Sequence, residues 1–268
     1  MISIATTYYN RKSQFINTLK SLELSKIKDF EVIAVDDCSD EDQRIDDLEK
    51  RFKFLKVHRI NKEDKWYHNP CIPFNIAFSL CKGDKIIIQN AECLHYSDIL
   101  SRTQDKLNDS NYLSFATYSI DKDTTETINK YEKIIYFIDS YAMNDDRFGF
   151  NGNAVNGWYN HSVYRPCAFH FCSAITRKNL TELNGFDELY ANGICYDDNE
   201  FLYRIFLKEL NIIFEDDFKC IHQYHEKFYY NKENYMDLEK INKNIFYNLT
   251  KRRLSYKINN RNFFEYAR

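Results

Sequence analysis

Residues Phe30–Asp40 read FEVIAVDDCSD, and this stretch decides the fold. Its strand, Glu31–Val35, is a continuous apolar run rather than an alternation of apolar and polar positions. A strand of that kind is covered on both faces, the situation of a parallel sheet with helices above and below. It ends in two acids, Asp36 and Asp37. Working outward, ISIAT (Ile2–Thr6) is a second β-branched run, followed by the polar turn YYNRK. A helix is expected over Gln14–Leu24, with Phe15, Leu19 and Leu22 at helical spacing. Downstream, a charged helix is expected over Asp42–Phe52 and a third strand over Phe54–Ile60. Pro73–Asp84 opens on proline and closes on Gly83, the asymmetry of a helix. Lys85–Glu92 is the fourth strand. Strand–helix alternation with apolar strands gives an α/β fold with a mostly parallel central sheet flanked by helices. Ligands of such sheets bind beyond the carboxyl ends of the strands, which here read TTYYNR, DDCSD, NKEDKW and QNAEC.

The second half is less regular and more aromatic. YLSFATYSI within Tyr112–Phe150 is a strand, and Asn151–Pro166 is a long loop rich in asparagine and glycine that carries Trp158 and Tyr159. Cys167–Thr176 reads as a buried strand, and RKNLTELNGFDE as a short helix closed by Gly185. Tyr196–Leu210 is an amphipathic helix with Leu202, Ile205, Phe206 and Leu210 along one side. NIIFEDDF is a further strand. The tail from Lys232 is helical in pattern, with Tyr235, Leu238, Ile241 and Ile245 aligned. The expected organisation is a domain over 1–230, in two halves (1–110 and 111–230), and a helical extension over 231–268.

The 268 residues carry a net charge of −3, which argues against a nucleic-acid-binding surface. The eight cysteines stand singly with no Cys-x-x-Cys pair, so a zinc ribbon is not expected and a reducing, cytoplasmic location is. No apolar run reaches the roughly 20 residues that span a bilayer, so any membrane contact would be peripheral.

Several clusters carry chemistry, each with a plainer reading beside it. Asp36–Asp37 either closes a turn or offers carboxylates to a base and ribose. Glu92, in Gln89–Glu92, is either a surface turn acid or an oxygen ligand for a hard divalent cation. Asp197–Glu200 opens a helix: Asp197 and Glu200 fit a capping box, and one of the acids is also suited to be a general base for an acceptor hydroxyl. His222, at a strand end, is a candidate imidazole ligand, whereas His225 reads as an ordinary histidine. Trp158 is either core or, between Gly157 and His161, a face for a sugar ring.

Taken in order, these motifs resemble the family 2 glycosyltransferases with the GT-A, Rossmann-like fold, over roughly the first 225 residues. TTYYNR is similar to that family's first nucleotide-binding loop and VIAVDDCSDE to its second-strand motif. GFDELYANGICYDDNEFLYRI resembles the segment bearing the catalytic acid, and HQ at His222–Gln223 the C-terminal metal histidine. The resemblance implies a cytoplasmic inverting enzyme that moves a sugar from a nucleotide sugar, UDP-linked, to a hydroxyl of a carbohydrate acceptor. Thr7, Tyr9, Asn10, Arg11, Asp36, Asp37 and Asn90 would line the donor pocket. Glu92 and His222 would hold a divalent metal, Mn2+ or Mg2+. Asp198 would be the base, with Asp197 before it, and Trp158 and His161 would meet the acceptor. Asn90 and Glu92 stand where the family has aspartates, and Asp197 where it has Glu. A non-catalytic sugar-binding relative is the alternative; a sugar nucleotidyltransferase is disfavoured because no glycine precedes Gly83.

Overall fold

The computed structural model describes residues 1–143, 157–226 and 233–258. The first six residues of the expected Asn151–Pro166 loop, the end of Tyr112–Phe150 and the end of the tail lie outside the described residues. Strands are β1 (Ile2–Tyr8), β2 (Phe30–Asp36), β3 (Leu55–Arg59), β4 (Lys85–Asn90), β5 (Cys93–His95), β6 (Asn111–Ser119), β7 (Gly157–Asn160), β8 (Cys172–Thr176) and β9 (Asn211–His222). Helices are α1 (Lys12–Leu22), α2 (Cys71–Leu80), α3 (Ile99–Lys106), α4 (Lys122–Ile128), α5 (Ile134–Ser140), α6 (Arg177–Leu183), α7 (Asp197–Leu207) and α8 (Tyr235–Asn248).

All nine strands join one sheet in the order β3-β2-β1-β4-β8-β6-β9-β5, with β7 added to β6. The block β3-β2-β1-β4 is wholly parallel, as the unbroken apolar strands require. Beyond it the sheet is mixed: β8 runs antiparallel to both β4 and β6, and β6 and β9 pair in parallel. Alternate residues of the parallel block feed two cores. Ile4, Val32, Ala34 and Ile87 meet Phe15, Leu19 and Leu22 of α1 on one face. Ala5, Ile33, Val35, Ile86 and Ile88 meet Phe74, Ala77 and Phe78 of α2 on the other. This two-sided burial is what places all four carboxyl termini at one open edge.

Some local expectations give way to tertiary contacts. In place of a helix over Asp42–Phe52 there are two short 3-10 turns, Glu41–Gln43 and Asp46–Lys50. Arg44 pairs with both Glu41 and Asp46, and the Tyr8 hydroxyl donates to the Gln43 carbonyl, which fixes the chain between the turns. Along α7 the buried side is Asp197, Glu200, Phe201, Arg204 and Ile205, while Phe206 is exposed. Glu200 makes no capping box: it forms a fully buried ion pair with Arg204, whose guanidinium also donates to the Leu183 and Gly185 carbonyls. In α8 the buried line is Leu238, Asn242 and Phe246 rather than the Ile241 side. Asn242 sets that line by donating to the Tyr190 and Cys195 carbonyls.

Candidate active site

The register of the parallel block sets Tyr8 beside Asp36 and Thr7 beside Asn90. The chain then turns through Asn10 in the left-handed region, at φ 48°, and brings Arg11 back across the strand ends. Asparagine tolerates that conformation through its short polar side chain, and here it donates to Asp40 and accepts from the Asp40 amide. The Arg11 Nε–H donates to the Tyr9 carbonyl at 3.0 Å, which aims the other guanidinium nitrogens at Glu92.

The adjacent acids divide their roles. Asp36 is fully buried, accepting from the Ser39 amide at 2.9 Å and from Arg59 at 2.7 Å. With one bond to each oxygen it braces the turn. Asp37 is partly exposed and is held by Lys65 Nζ at 2.7 Å and by the Tyr67 hydroxyl at 2.6 Å. Lys65 also lies over the ring of Tyr9, 5.1 Å from its centroid.

Glu92 is buried just past β4. Its Oε2 meets Arg11 at 2.6 Å, and its Oε1 meets Nε2 of His222 at 3.0 Å and Nε2 of His225 at 3.2 Å. Burial would raise this carboxyl, but Arg11 and the two imidazoles outweigh it and hold the group well below the usual carboxylate range. Burial and Arg11 push His225 down, favouring the neutral ring. A ligand atom from each of Glu92, His222 and His225 lies within 4.8 Å of the others. Nδ1 of His225 lies 3.0 Å from the Glu226 carbonyl, and its Nε2 lies 3.4 Å from Nη1 of Arg11 as well as near Glu92. Two imidazoles with one carboxylate form a ligand set for divalent transition metals. Gln223, between the histidines, is buried and ties the Glu92 carbonyl to the Gln14 carbonyl of α1.

A second cluster holds the acids of α7. Cys195 and Tyr196 both adopt left-handed conformations, φ 60° and 65°, directly before the helix. Such conformations cost on the order of 1–2 kcal/mol each outside glycine and recur near functional groups. Asp197 is buried, accepts from Asn69 at 3.0 Å, and is pushed up to about 6 by burial and by its neighbour Asp198. Asp198 has a side chain 30% exposed, and its Oδ1 pairs with Nδ1 of the buried His170.

Two short segments join these clusters. In Lys65–Asn69, Lys65 and Tyr67 hold Asp37 and Asn69 holds Asp197. In His170–Phe171, His170 meets Asp198, while the Phe171 ring lies edge-on to His222, 6.1 Å between centroids. Phe171 also accepts the Asn90 amide through its carbonyl, at 3.1 Å. Asp37 and the acids of α7 are thus held by one five-residue segment, and Asp198 and the surroundings of Glu92 are linked through His170 and Phe171.

Trp158 and His161 stand apart from this arrangement. Strand alternation sends Trp158 into a fully buried cluster with Tyr118, Ile128, Phe137 and Ile221, so its faces are covered and the sugar-stacking role is not open to it. His161 packs on Trp158 and accepts from the Val163 amide through Nδ1. The neighbour Tyr159 points the other way, stacked on Phe171 and edge-on to His222.

The family profile described as Glycosyl transferase family 2 matches residues 3–175, well over half of the chain. The chain belongs to glycosyl transferase family 2. No curated protein matches it. Among solved structures it is similar to S. aureus TarS 1-349 in complex with UDP-GlcNAc, with a TM-score of 0.58 at 15% identity, covering 84% of this chain and 59% of that one. It is also similar to the mannosyltransferase PcManGT from Pyrobaculum calidifontis in complex with GDP-Man and Mn2+, with a TM-score of 0.52 at 14% identity, covering 84% and 57%. At these identities the likeness is one of fold, that of GT-A glycosyltransferases. This chain spans under three-fifths of the length of both. No helix among the described residues is long and apolar enough to cross a membrane.

Proposed function

We propose that this family 2 protein is an inverting glycosyltransferase that moves a sugar from a UDP-linked donor to a hydroxyl of a glycan. The observation that carries the reading is that Asp37 and Glu92 sit just past the carboxyl ends of the parallel strands β2 and β4, and that the segments holding Asp37 and Asn90 also reach the acids of α7 through Asn69 and His170. Solved relatives of the same fold hold UDP-GlcNAc or GDP-Man, which supports a nucleotide-sugar donor. Asp37, held by Lys65 and Tyr67, offers its carboxylate to the base or ribose, with Thr7, Tyr9, Asn10 and Asn90 along the same edge. Glu92, His222 and His225 would hold a divalent cation, and of the expected Mn2+ and Mg2+ the two imidazoles favour Mn2+; such a cation when bound neutralises charge developing on a leaving diphosphate. Arg11 is a fixed positive charge at the same place.

Across the site, Asp198 takes the proton of the acceptor hydroxyl as that oxygen attacks the anomeric carbon. The new C–O bond forms as the bond to the diphosphate breaks, and configuration inverts. The free cysteines fit a reducing, cytoplasmic setting. Asp198→Asn tests the assignment. Loss of a positioned base costs roughly 10²–10⁴-fold in rate, so release of UDP in the presence of acceptor should fall by that factor while UDP binding stays intact. Full transfer by the variant would remove Asp198 from the role.

A further inference from the structure

His170 is used by no part of the mechanism above, yet it is buried against the proposed base. Its ring lies edge-on to Phe74 of α2, 5.1 Å between centroids, and tilted on Phe186 at 4.8 Å. Those two aromatic walls fix the imidazole plane. Nδ1 is in ion-pair contact with Asp198 Oδ1 though off the line of a hydrogen bond, and the His170 backbone N–H donates to the same oxygen at 3.4 Å. Among the described residues no hydrogen bond or ion pair engages Oδ2, and the Asp198 side chain is 30% exposed. One oxygen is thus held from beneath and the other is left for an incoming hydroxyl.

We propose that His170 is the positioning residue of the transfer reaction: it fixes Asp198 by one oxygen, aims the other at the acceptor, and offsets the charge of the adjoining Asp197. The inference rests on reading Asp198 as the base. In the step itself the acceptor O–H proton passes to Asp198 Oδ2. The acceptor oxygen bonds the anomeric carbon, the bond to the diphosphate breaks with its electron pair leaving on the nucleotide, and Asp198 afterwards yields the proton to water. His170 touches no substrate.

The charges around the imidazole support the second part of its role. Asp197 and Asp198 face it from α7; around those two acids stand Asn69 and the Cys71 thiol, at the start of α2, and the Tyr112 hydroxyl from β6. Asp187 and Glu188 lie farther off, engaged by Arg253 and Asn75. Burial disfavours a charged His170, but Asp198 and Asp197 outweigh it and raise the group above the ordinary histidine value.

The test compares His170→Leu, His170→Asn, Asp198→Asn and the double variant Asp198→Asn/His170→Leu, with UDP binding as the check on folding. Misplacing a catalytic group by about 1 Å costs on the order of 10²-fold. His170→Leu should therefore lower kcat by ~10–100-fold with donor KM unchanged, and shift the acid limb of the pH–rate profile upward. His170→Asn restores an N–H toward Asp198, so it should recover most of kcat while keeping the shifted limb. The double variant should be no slower than Asp198→Asn alone. An unshifted limb in both His170 variants, or multiplicative losses in the double variant, overturns the proposal. Should His170→Leu fail to fold, the limb of His170→Asn decides. Full transfer by Asp198→Asn is a separate outcome, one that overturns the base assignment itself.

Discussion

Two carboxylates side by side at a helix start repel each other, and the protein treats them differently. Asp197 is buried and pushed up to about 6, whereas its ordinary value is 3.8. Between those values the folded state holds a proton that the unfolded state has lost, so this group's contribution to stability declines as pH rises from about 4 to about 6 and stays low above. Asp197→Asn keeps an acceptor for Asn69 and removes the charge. Its melting temperature should exceed that of the parent protein above pH 6, with the gap closing below pH 4; a gap independent of pH would contradict this. At this scale the sequence was partly legible. Asp198 and Glu92 stand out as acids at strand and helix ends, and His222 as an imidazole at a strand end. His170 and His225 do not, because a histidine inside an apolar run or a polar loop has no local signature, and only tertiary contact gives it a partner. Asn69, Lys65 and Tyr67 were hidden for the same reason. Trp158 was misread because a tryptophan beside a glycine looks available until strand alternation turns it inward.

Elements follow from sequence where burial alone sets them. β1, β2 and β4 are legible because two covered faces demand unbroken apolar strands; α2 is legible too, though it starts at Cys71, two residues before the expected Pro73, and ends before Gly83. β8 and β9 fall within or overlap expected strands, Cys167–Thr176 and NIIFEDDF, but their pairing directions and the length of β9 leave little trace in the sequence. The turns at Glu41–Lys50 were misread as helix because local charge spacing fits a helix, while Arg44 and Tyr8 impose another path. Gly83 shows the reverse case, a residue whose need is wholly tertiary. A Cβ there would lie 2.6 Å from the Ser3 backbone nitrogen, and the Gly83 amide donates to the Ser3 hydroxyl at 2.7 Å. Backbone cannot yield as a flexible side chain can, so Gly83→Ala should cost about 1–3 kcal/mol, the usual range for overpacking. Urea titration reads this directly, and an unchanged midpoint would show that β1 and β4 separate without penalty.

For the whole molecule, the parallel half of the sheet carries Asp37 and Glu92 just past its strand ends, and α7, between β8 and β9 of the mixed half, carries Asp198. α7 is braced from behind: Arg253 pairs with Asp187 at 2.6 Å and donates to Glu200 at 2.9 Å, and α8 packs over Gly193 through Asn242. The segment after α8 is thus part of the scaffold that holds Asp198. On the proposed function, the strand ends around Glu92 bind a nucleoside diphosphate together with a cation. Calorimetric titration of UDP, with and without Mn2+, tests it most directly on the parent protein, Glu92→Gln and Asp198→Asn. Mn2+ should tighten UDP binding by roughly tenfold or more, about 1.4 kcal/mol, in the parent and in Asp198→Asn, and by much less in Glu92→Gln. UDP binding indifferent to both Mn2+ and Glu92, or no UDP binding at all, would contradict the account.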